Sequence, residues 1–436
     1  MNCAYAYAAA SHADAWLAEH FQKQNALTST AFASAAKLCH DARKSNGLRA
    51  FIIHGQAHGR EASMIELTRE AVEAYLRQAF GPDAAVTYMG DIGGLGEQGI
   101  KRFGYGKPVL VRFTAGGREQ ATVMSVMKAD KYGHQFYWDR AAILMFQHET
   151  SARLPRHVRP MGLGYVDGRD CLVPVHEPKE FFILNELLPG HEYFRDLERI
   201  RERGLEERDM ELARAFARWL AEIHATKRDD PHLYYRRVRN LLGSSECIMG
   251  MADEAFPPDY EPFPDSRFKA LEKRLIDWRW RLKGYASRLS AVHGDFHPWN
   301  VLVTDDGEFR VLDRSRGEWG EPAGDVACMA INYLLFGLLD AHAKGQDASE
   351  DGPRPGVSEP FRRLYMAFMD EYLRRTGDEQ MLEVMAPFFV FRGLVVASPE
   401  WYPGHPEHIR AALLRFVENV LEDRIFDYQR PELYLE

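Results

Sequence analysis

Three side chains able to do chemistry together lie close in the stretch His293-Gly-Asp295-Phe-His297-Pro-Trp-Asn300-Val-Leu-Val-Thr-Asp305-Asp306-Gly307-Glu308-Phe-Arg-Val-Leu-Asp313. Asn300 and Asp313 offer an amide oxygen and a carboxylate, hard donors suited to magnesium. Asp295, just upstream in a loop containing Pro298, is free to orient a hydroxyl delivered to that metal. One carboxylate for the hydroxyl and an Asn/Asp pair for magnesium is the equipment of phosphoryl transfer from ATP.

A hairpin must position these groups. Val301 to Val303 and Phe309 to Leu312 are short apolar runs, and Asp306-Gly307 between them has the signature of a two-residue turn with both residues at positive φ. With that loop, Asp305 faces Glu308, and counting outward brings Asn300 directly opposite Asp313. Opposed residues on one hairpin face have Cβ atoms about 4.5–5.5 Å apart, close enough to share a cation. A structural hairpin has no reason to carry two metal-competent side chains across its base.

The order His-x-Asp-x-x-x-x-Asn, hairpin, Asp resembles the aminoglycoside phosphotransferase and choline kinase group, small-molecule relatives of the protein kinases. The resemblance implies an α+β, protein-kinase-like bilobal fold with an antiparallel β-rich N-lobe and a mainly helical C-lobe. It implies ATP and Mg2+ as cofactors and a small-molecule hydroxyl as acceptor. Asp295 would be the catalytic base, Asn300 and Asp313 the magnesium ligands, and His293 a support for the loop. Asp325 would begin a long helix and hydrogen-bond the catalytic loop. In the N-lobe, Lys128 would anchor the ATP phosphates, with Lys101 and Arg112 as competing candidates. Asp139 stands where the family usually has a glutamate paired to that basic residue. Backbone groups around Glu186 to Leu188 would bind adenine, at the end of an apolar strand, Phe181 to Leu188, broken by Pro189-Gly190.

Two other readings stay open. A nucleotide-binding pseudokinase acting as an interaction module would keep the fold with little turnover. A metallohydrolase would use His293, Asp295 and His297, which an extended strand would turn to one side.

Composition narrows the partners. With 436 residues, 46% hydrophobic and 27% charged, the chain has room for two lobes and reads as an ordinary globular protein. The net charge is −9, from 55 basic against 64 acidic residues, which argues against nucleic acid as a partner. The five cysteines, Cys3, Cys39, Cys171, Cys247 and Cys328, are scattered and fit a reducing cytoplasm better than a disulfide framework. No run approaches the roughly 18 apolar residues of a membrane span, so a cytoplasmic location is expected and no membrane partner.

The remaining chain supplies supporting elements. Residues 1–62 form an N-terminal extension, helical or disordered; 63–185 read as the N-lobe and 186–436 as the C-lobe. Ser63-Met-Ile-Glu66 has capping-box spacing before helical periodicity. Strands are expected at Ala84 to Met89, Val109 to Phe113 and Gln120 to Met127, and a helix at Phe136 to Thr150. Gly93, Gly94 and Gly96, in a glycine-rich connection, would let backbone N–H groups approach phosphates. Tyr234 to Pro264 reads as an irregular lid or insert. Helical period returns at Glu207 to Thr226, Phe268 to Leu289, Val326 to Leu339, Pro360 to Thr376, Gln380 to Val395 with a kink at Pro387, and Glu407 to Glu422. Arg314 and Arg316 would neutralise ATP or an anionic acceptor, which disfavours a polycationic aminoglycoside. Glu318 and Trp319 in the same segment, and the Glu400-Trp401 loop with an acid beside aromatics, are further candidates for acceptor contact.

Overall fold

A computed structural model describes residues 51–54, 64–91, 108–347 and 355–436; for 51–54, 64–66 and Asp91 only the backbone is described. The chain divides into two compact units, with the division between Leu184 and Asn185.

In the first unit, β1 (Phe51–His54) pairs antiparallel with β2 (Met64–Leu67) and leads into α1 (Arg69–Phe80). The expected capping box at Ser63 is therefore not the helix start. The cap is Thr68, whose hydroxyl accepts from the Ala71 N–H at 3.1 Å, because Met64–Leu67 is drawn into a strand pair instead. Next come β3 (Ala85–Asp91), β4 (Val109–Ala115) and β5 (Arg118–Met124), an antiparallel three-stranded sheet in chain order. Gly116 and Gly117 make the tight β4–β5 turn with φ of 57° and 70°, values that glycine adopts without strain. Val72 and Leu76 of α1 pack with Val86, Val109, Val111 and Phe113 to form this unit's core. After it come α2 (Tyr137–Ser151) and a hairpin of β6 (Leu163–Val166) with β7 (Leu172–Val175).

The expected strand at Phe181 to Leu188 is not formed: 176–190 has no regular structure, and Phe182, Ile183 and Leu184 are at least 80% exposed. Apolar β-formers make a strand only against a ladder partner, and no described strand pairs with this segment.

The second unit is mainly helical. It begins with β8 (His191–Glu192), α3 (Phe194–Arg203) and α4 (Glu207–His224). The expected irregular insert is instead two helices, α5 (Pro231–Gly243) and α6 (Ile248–Glu254). Asp230 caps α5 by accepting from the Leu233 N–H at 3.0 Å, with Pro231 in the first turn where its missing N–H costs nothing. Then follow α7 (Asp265–Leu282), β9 (Ser290–Ala291), β10 (Val301–Val303), β11 (Phe309–Val311) and β12 (Trp319–Gly320). The chain closes with α8 (Ala323–Ala343), α9 (Glu359–Thr376), α10 (Met381–Val384), α11 (Ala386–Ala397) and α12 (Glu407–Asn419). Pro387 sits in the first turn of α11, so the expected kink becomes a break between α10 and α11.

Helix α8 is the core of this unit. It is long and apolar enough to cross a membrane, against the expectation from composition, but 83% of its apolar window is buried by protein. That apolarity serves packing.

Candidate active site

The stretch 293–313 is held from beneath by α8. Asp325, in the first turn of α8 and 1% exposed, accepts from the His293 N–H and the Gly294 N–H, each at 2.7 Å. Its Oδ2 also lies 3.1 Å from His224 Nε2, and His224 Nδ1 is 2.9 Å from the Tyr372 hydroxyl. A carboxylate given two backbone donors and an imidazole is well compensated for its burial. Burial pushes its pKa up, but the His224 hydrogen bond and the other donors more than reverse this and hold it below the usual carboxylate range. Gly294, at φ 93°, lets the loop turn over this anchor where Arg316 Cβ and the Gly317 carbonyl leave little room.

The turn continues through side chains on the loop itself. His293 Nδ1 accepts from the Asp295 N–H at 3.2 Å, and His297 Nδ1 accepts from the Trp299 N–H at 3.2 Å. Asn300 donates its amide to the Asp295 carbonyl at 3.1 Å, which orients the side chain and leaves its own carbonyl oxygen for another use.

The hairpin register differs by one from the expected one. Val301 faces Val311 and Val303 faces Phe309, so Thr304 faces Glu308 and the loop has three residues, Asp305 to Gly307. Only Gly307 has positive φ, at 83°. The Asp306 carboxylate takes the Thr304 hydroxyl at 2.5 Å and the Glu308 N–H at 3.3 Å, and this side-chain bonding favours the longer loop. Asn300 is thus opposite Leu312, whose N–H it accepts at 2.8 Å, rather than opposite Asp313. Asp313 follows at φ 52°, a left-handed conformation that Asp tolerates better than most residues, and its side chain is exposed.

Asp295 is 6% exposed and lies between two guanidinium groups. Arg392 Nη1 is 2.5 Å from its Oδ1, and Arg316 Nε is 3.1 Å from its Oδ2. His297 Nε2 is 3.8 Å from the same Oδ2. Burial pushes the carboxyl up, but Arg392, Arg316 and His297 in that order overcome it and hold its pKa at about 2. The His297 ring is pushed down to about 4 by burial, which the Asp295 charge only partly offsets, so it is neutral at pH 7. Arg392, on α11, also donates to the Gly294 carbonyl at 3.1 Å and lies 4.5 Å from the Phe391 ring centroid. Arg316 reaches the Glu246 carbonyl and carboxylate, both at 3.2 Å.

The other candidates sort by place. Arg314, expected to face anions, donates to the Val292 carbonyl at 2.8 Å and the Glu318 carbonyl at 3.3 Å and braces the loop. Trp319 donates to Glu318 Oε1 at 2.7 Å and lies in β12, paired with β9. Glu400 and Trp401 are exposed in the loop after α11. Their neighbour Tyr402 meets Trp299 of the site at 6.1 Å between ring centroids.

In the first unit, Lys128 lies four residues beyond the end of β5, which stops at Met124 rather than at the expected Met127. Asp139 accepts from the Phe136 N–H at 3.0 Å at the start of α2. Arg112 is on the exposed face of β4. Gly93, Gly94, Gly96 and Lys101 lie outside the described residues. Glu186 and Leu188 lie in the irregular segment before β8.

Arg392 was not among the site residues expected from the motif, and lies 97 positions beyond the carboxylate it pairs with. The signal was present: one arginine within the apolar run Phe388-Phe-Val-Phe-Arg392-Gly-Leu-Val-Val-Ala397 must find an anion if the helix is buried. The metallohydrolase arrangement is disfavoured, because the Asp295 carboxylate is occupied by two cations and both His293 Nδ1 and His297 Nδ1 accept backbone N–H groups.

Residues 141–357 match the sequence model of the phosphotransferase enzyme family. No curated protein sequence matches the chain. Among solved structures, an ethanolamine kinase from Plasmodium vivax is similar at 12% identity, over 80% of each chain, with a TM-score of 0.28. A glucosamine kinase is similar at 16% identity over 88% of this chain and 92% of its own, with a TM-score of 0.31. A choline kinase from Streptococcus pneumoniae is similar at 12% identity over 72% and 97%, with a TM-score of 0.22. TM-scores this low leave these superpositions without weight for function. The matched segment, just under half of the chain, contains the whole of the Asp295 loop, the hairpin and the Asp325 anchor, and over it the chain is similar to the phosphotransferase enzyme family.

Proposed function

We propose that the protein transfers the terminal phosphoryl group of ATP to a hydroxyl of a small molecule, with Asp295 as the group that accepts or orients the hydroxyl proton. The observation that carries this reading is Asp295 itself: buried, ionised, and fixed on a loop whose backbone is anchored by Asp325. At a pKa of about 2 it is a weak base, so its work is to orient the hydroxyl and take its proton late in the transfer.

Asn300 and Asp313 supply a carbonyl oxygen and a carboxylate, a hard donor set that fits magnesium. Magnesium held there would neutralise phosphate charge. Lys128, Asp139, the glycines 93, 94 and 96, and the backbone at Glu186 and Leu188 remain the proposed nucleotide contacts.

The acceptor is proposed to be neutral or anionic. Asp295 with Arg316 and Arg392 carries a net positive charge, and Glu246 counters it from the exposed side. Two guanidinium groups beside the reacting hydroxyl oppose a polycation such as an aminoglycoside and favour a sugar, a sugar acid or another polyol. The test is magnesium-dependent ADP formation across acceptor pools sorted by charge. Stimulation by neutral or acidic polyols supports the reading; stimulation confined to aminoglycosides or choline-like cations contradicts its acceptor part, and no acceptor-dependent ADP from any pool contradicts the whole.

A further inference from the structure

A second cluster of ligating side chains lies away from Asp295, where the end of α8 meets the beginning of α12. His342 is in the last turn of α8, Asp347 follows five residues later, and His408 is in the first turn of α12. His342 Nδ1 and His408 Nε2 each lie 2.8 Å from the same oxygen, Asp347 Oδ2. All three ligand atoms are within 4.8 Å of one another, and the two ring centroids are 4.7 Å apart. Asp347 is 8% exposed, while His342 remains open to solvent.

The backbone fixes this convergence. Helix α8 ends in a tight turn in which the Gln346 N–H donates to the Ala341 carbonyl at 2.9 Å and the Gly345 N–H to the His342 carbonyl at 3.0 Å. Gly345 has φ 65°, the left-handed value such a helix end needs. The turn returns Asp347 beside His342, and Pro406 starts α12 so that His408 meets them.

We propose that His342, Asp347 and His408 form a transition-metal site, of the zinc class, that ties the end of α8 to the start of α12. Two imidazole nitrogens and one carboxylate oxygen suit zinc, cobalt or nickel far better than magnesium or calcium. Tetrahedral coordination at metal–ligand distances near 2.1 Å separates ligand atoms by about 3.4 Å, so each histidine contact need open by only about 0.6 Å. Solvent access beside His342 leaves space for a water as fourth ligand. The proposal is independent of the phosphotransferase reading, since none of the three residues belongs to the Asp295 site.

The test is calorimetric titration of the chelator-treated full chain with Zn2+ in the absence of nucleotide. Wild type is compared with His408→Ala, Asp347→Asn, the exposed-histidine control His232→Gln and the separate-site control Asp313→Ala. One equivalent bound by wild type and both controls, with affinity lower by more than about tenfold in His408→Ala and Asp347→Asn, is the expected result. Zinc should also raise the thermal midpoint of wild type and leave that of folded His408→Ala unmoved. No saturable zinc binding by wild type, or binding unchanged in both ligand variants, overturns the site. Loss of binding in Asp313→Ala would place the zinc at the other site and overturn it equally.

Discussion

Arg392 Nη1 lies 2.5 Å from Asp295 Oδ1, joining a helix near the C-terminus to the loop that carries the proposed base. Breaking a buried ion pair from one side leaves an uncompensated charge, at a cost of about 3–5 kcal/mol. Arg392→Met should therefore lower the thermal midpoint by several degrees and raise the Asp295 pKa, moving the acid limb of kcat/KM to higher pH. A variant with unchanged stability and an unmoved acid limb would show that the pair does not set the state of Asp295.

Acid should weaken the fold in two windows. The Asp295 carboxyl, held at about 2 against an unfolded value of 3.8, contributes stability present above about pH 4 and lost as pH falls through 2. That contribution is about 2 kcal/mol. His297, held neutral with a pKa of about 4 against 6.5 unfolded, stabilises fully above pH 6.5 and loses this as pH falls to 4, by about 2 kcal/mol for a partly exposed ring. Urea midpoints measured between pH 7 and 4 should fall less steeply for His297→Gln than for wild type. Parallel curves would contradict the depressed imidazole.

Asp325 is a positioning residue whose loss should be felt in the loop. Asp325→Ala removes the acceptor for two backbone N–H groups and for His224, so stability should fall by about 3 kcal/mol or more and turnover with it. Circular dichroism melts and ADP assays on the same preparation check this. Full turnover in a folded variant would separate the anchor from the site.

Much of this arrangement was legible because it is local. The His-x-Asp-x-x-x-x-Asn spacing, the hairpin and the later Asp325 all lie in one stretch, and the helices of the second unit follow apolar residues at 3.6-residue intervals. The hairpin loop length was not legible. Two- and three-residue loops share the Asp-Gly signature, and the choice rests on the Asp306 carboxylate bonding Thr304 and Glu308. The failed strand at Phe181 to Leu184 shows the limit of β-propensity, which expresses pairing that this segment lacks among the described residues. Arg316 and Arg392 escaped as partners of Asp295 because their pairing depends on how the loop and α11 pack, which no spacing encodes.

The two proposed magnesium ligands should separate by stability. Asp313 is exposed, so Asp313→Ala should leave the melting temperature nearly unchanged while raising the magnesium concentration for half-maximal activity at least tenfold, an effect of about 1.4 kcal/mol. Asn300→Ala should do the same and also lose about 1 kcal/mol of stability with its hydrogen bond to the Asp295 carbonyl. Magnesium titrations of ADP formation with paired melts distinguish them; unaltered magnesium dependence in both would remove them as ligands.

The role of Asp295 is decided by magnesium-dependent, acceptor-stimulated ADP formation in wild type and Asp295→Asn, with folding of the variant verified by its melt. Acceptor-dependent turnover in wild type that falls by at least about 100-fold in a folded Asp295→Asn protein is the expected result. Equal turnover in the two proteins would contradict the role given to Asp295, and with it the account of the site.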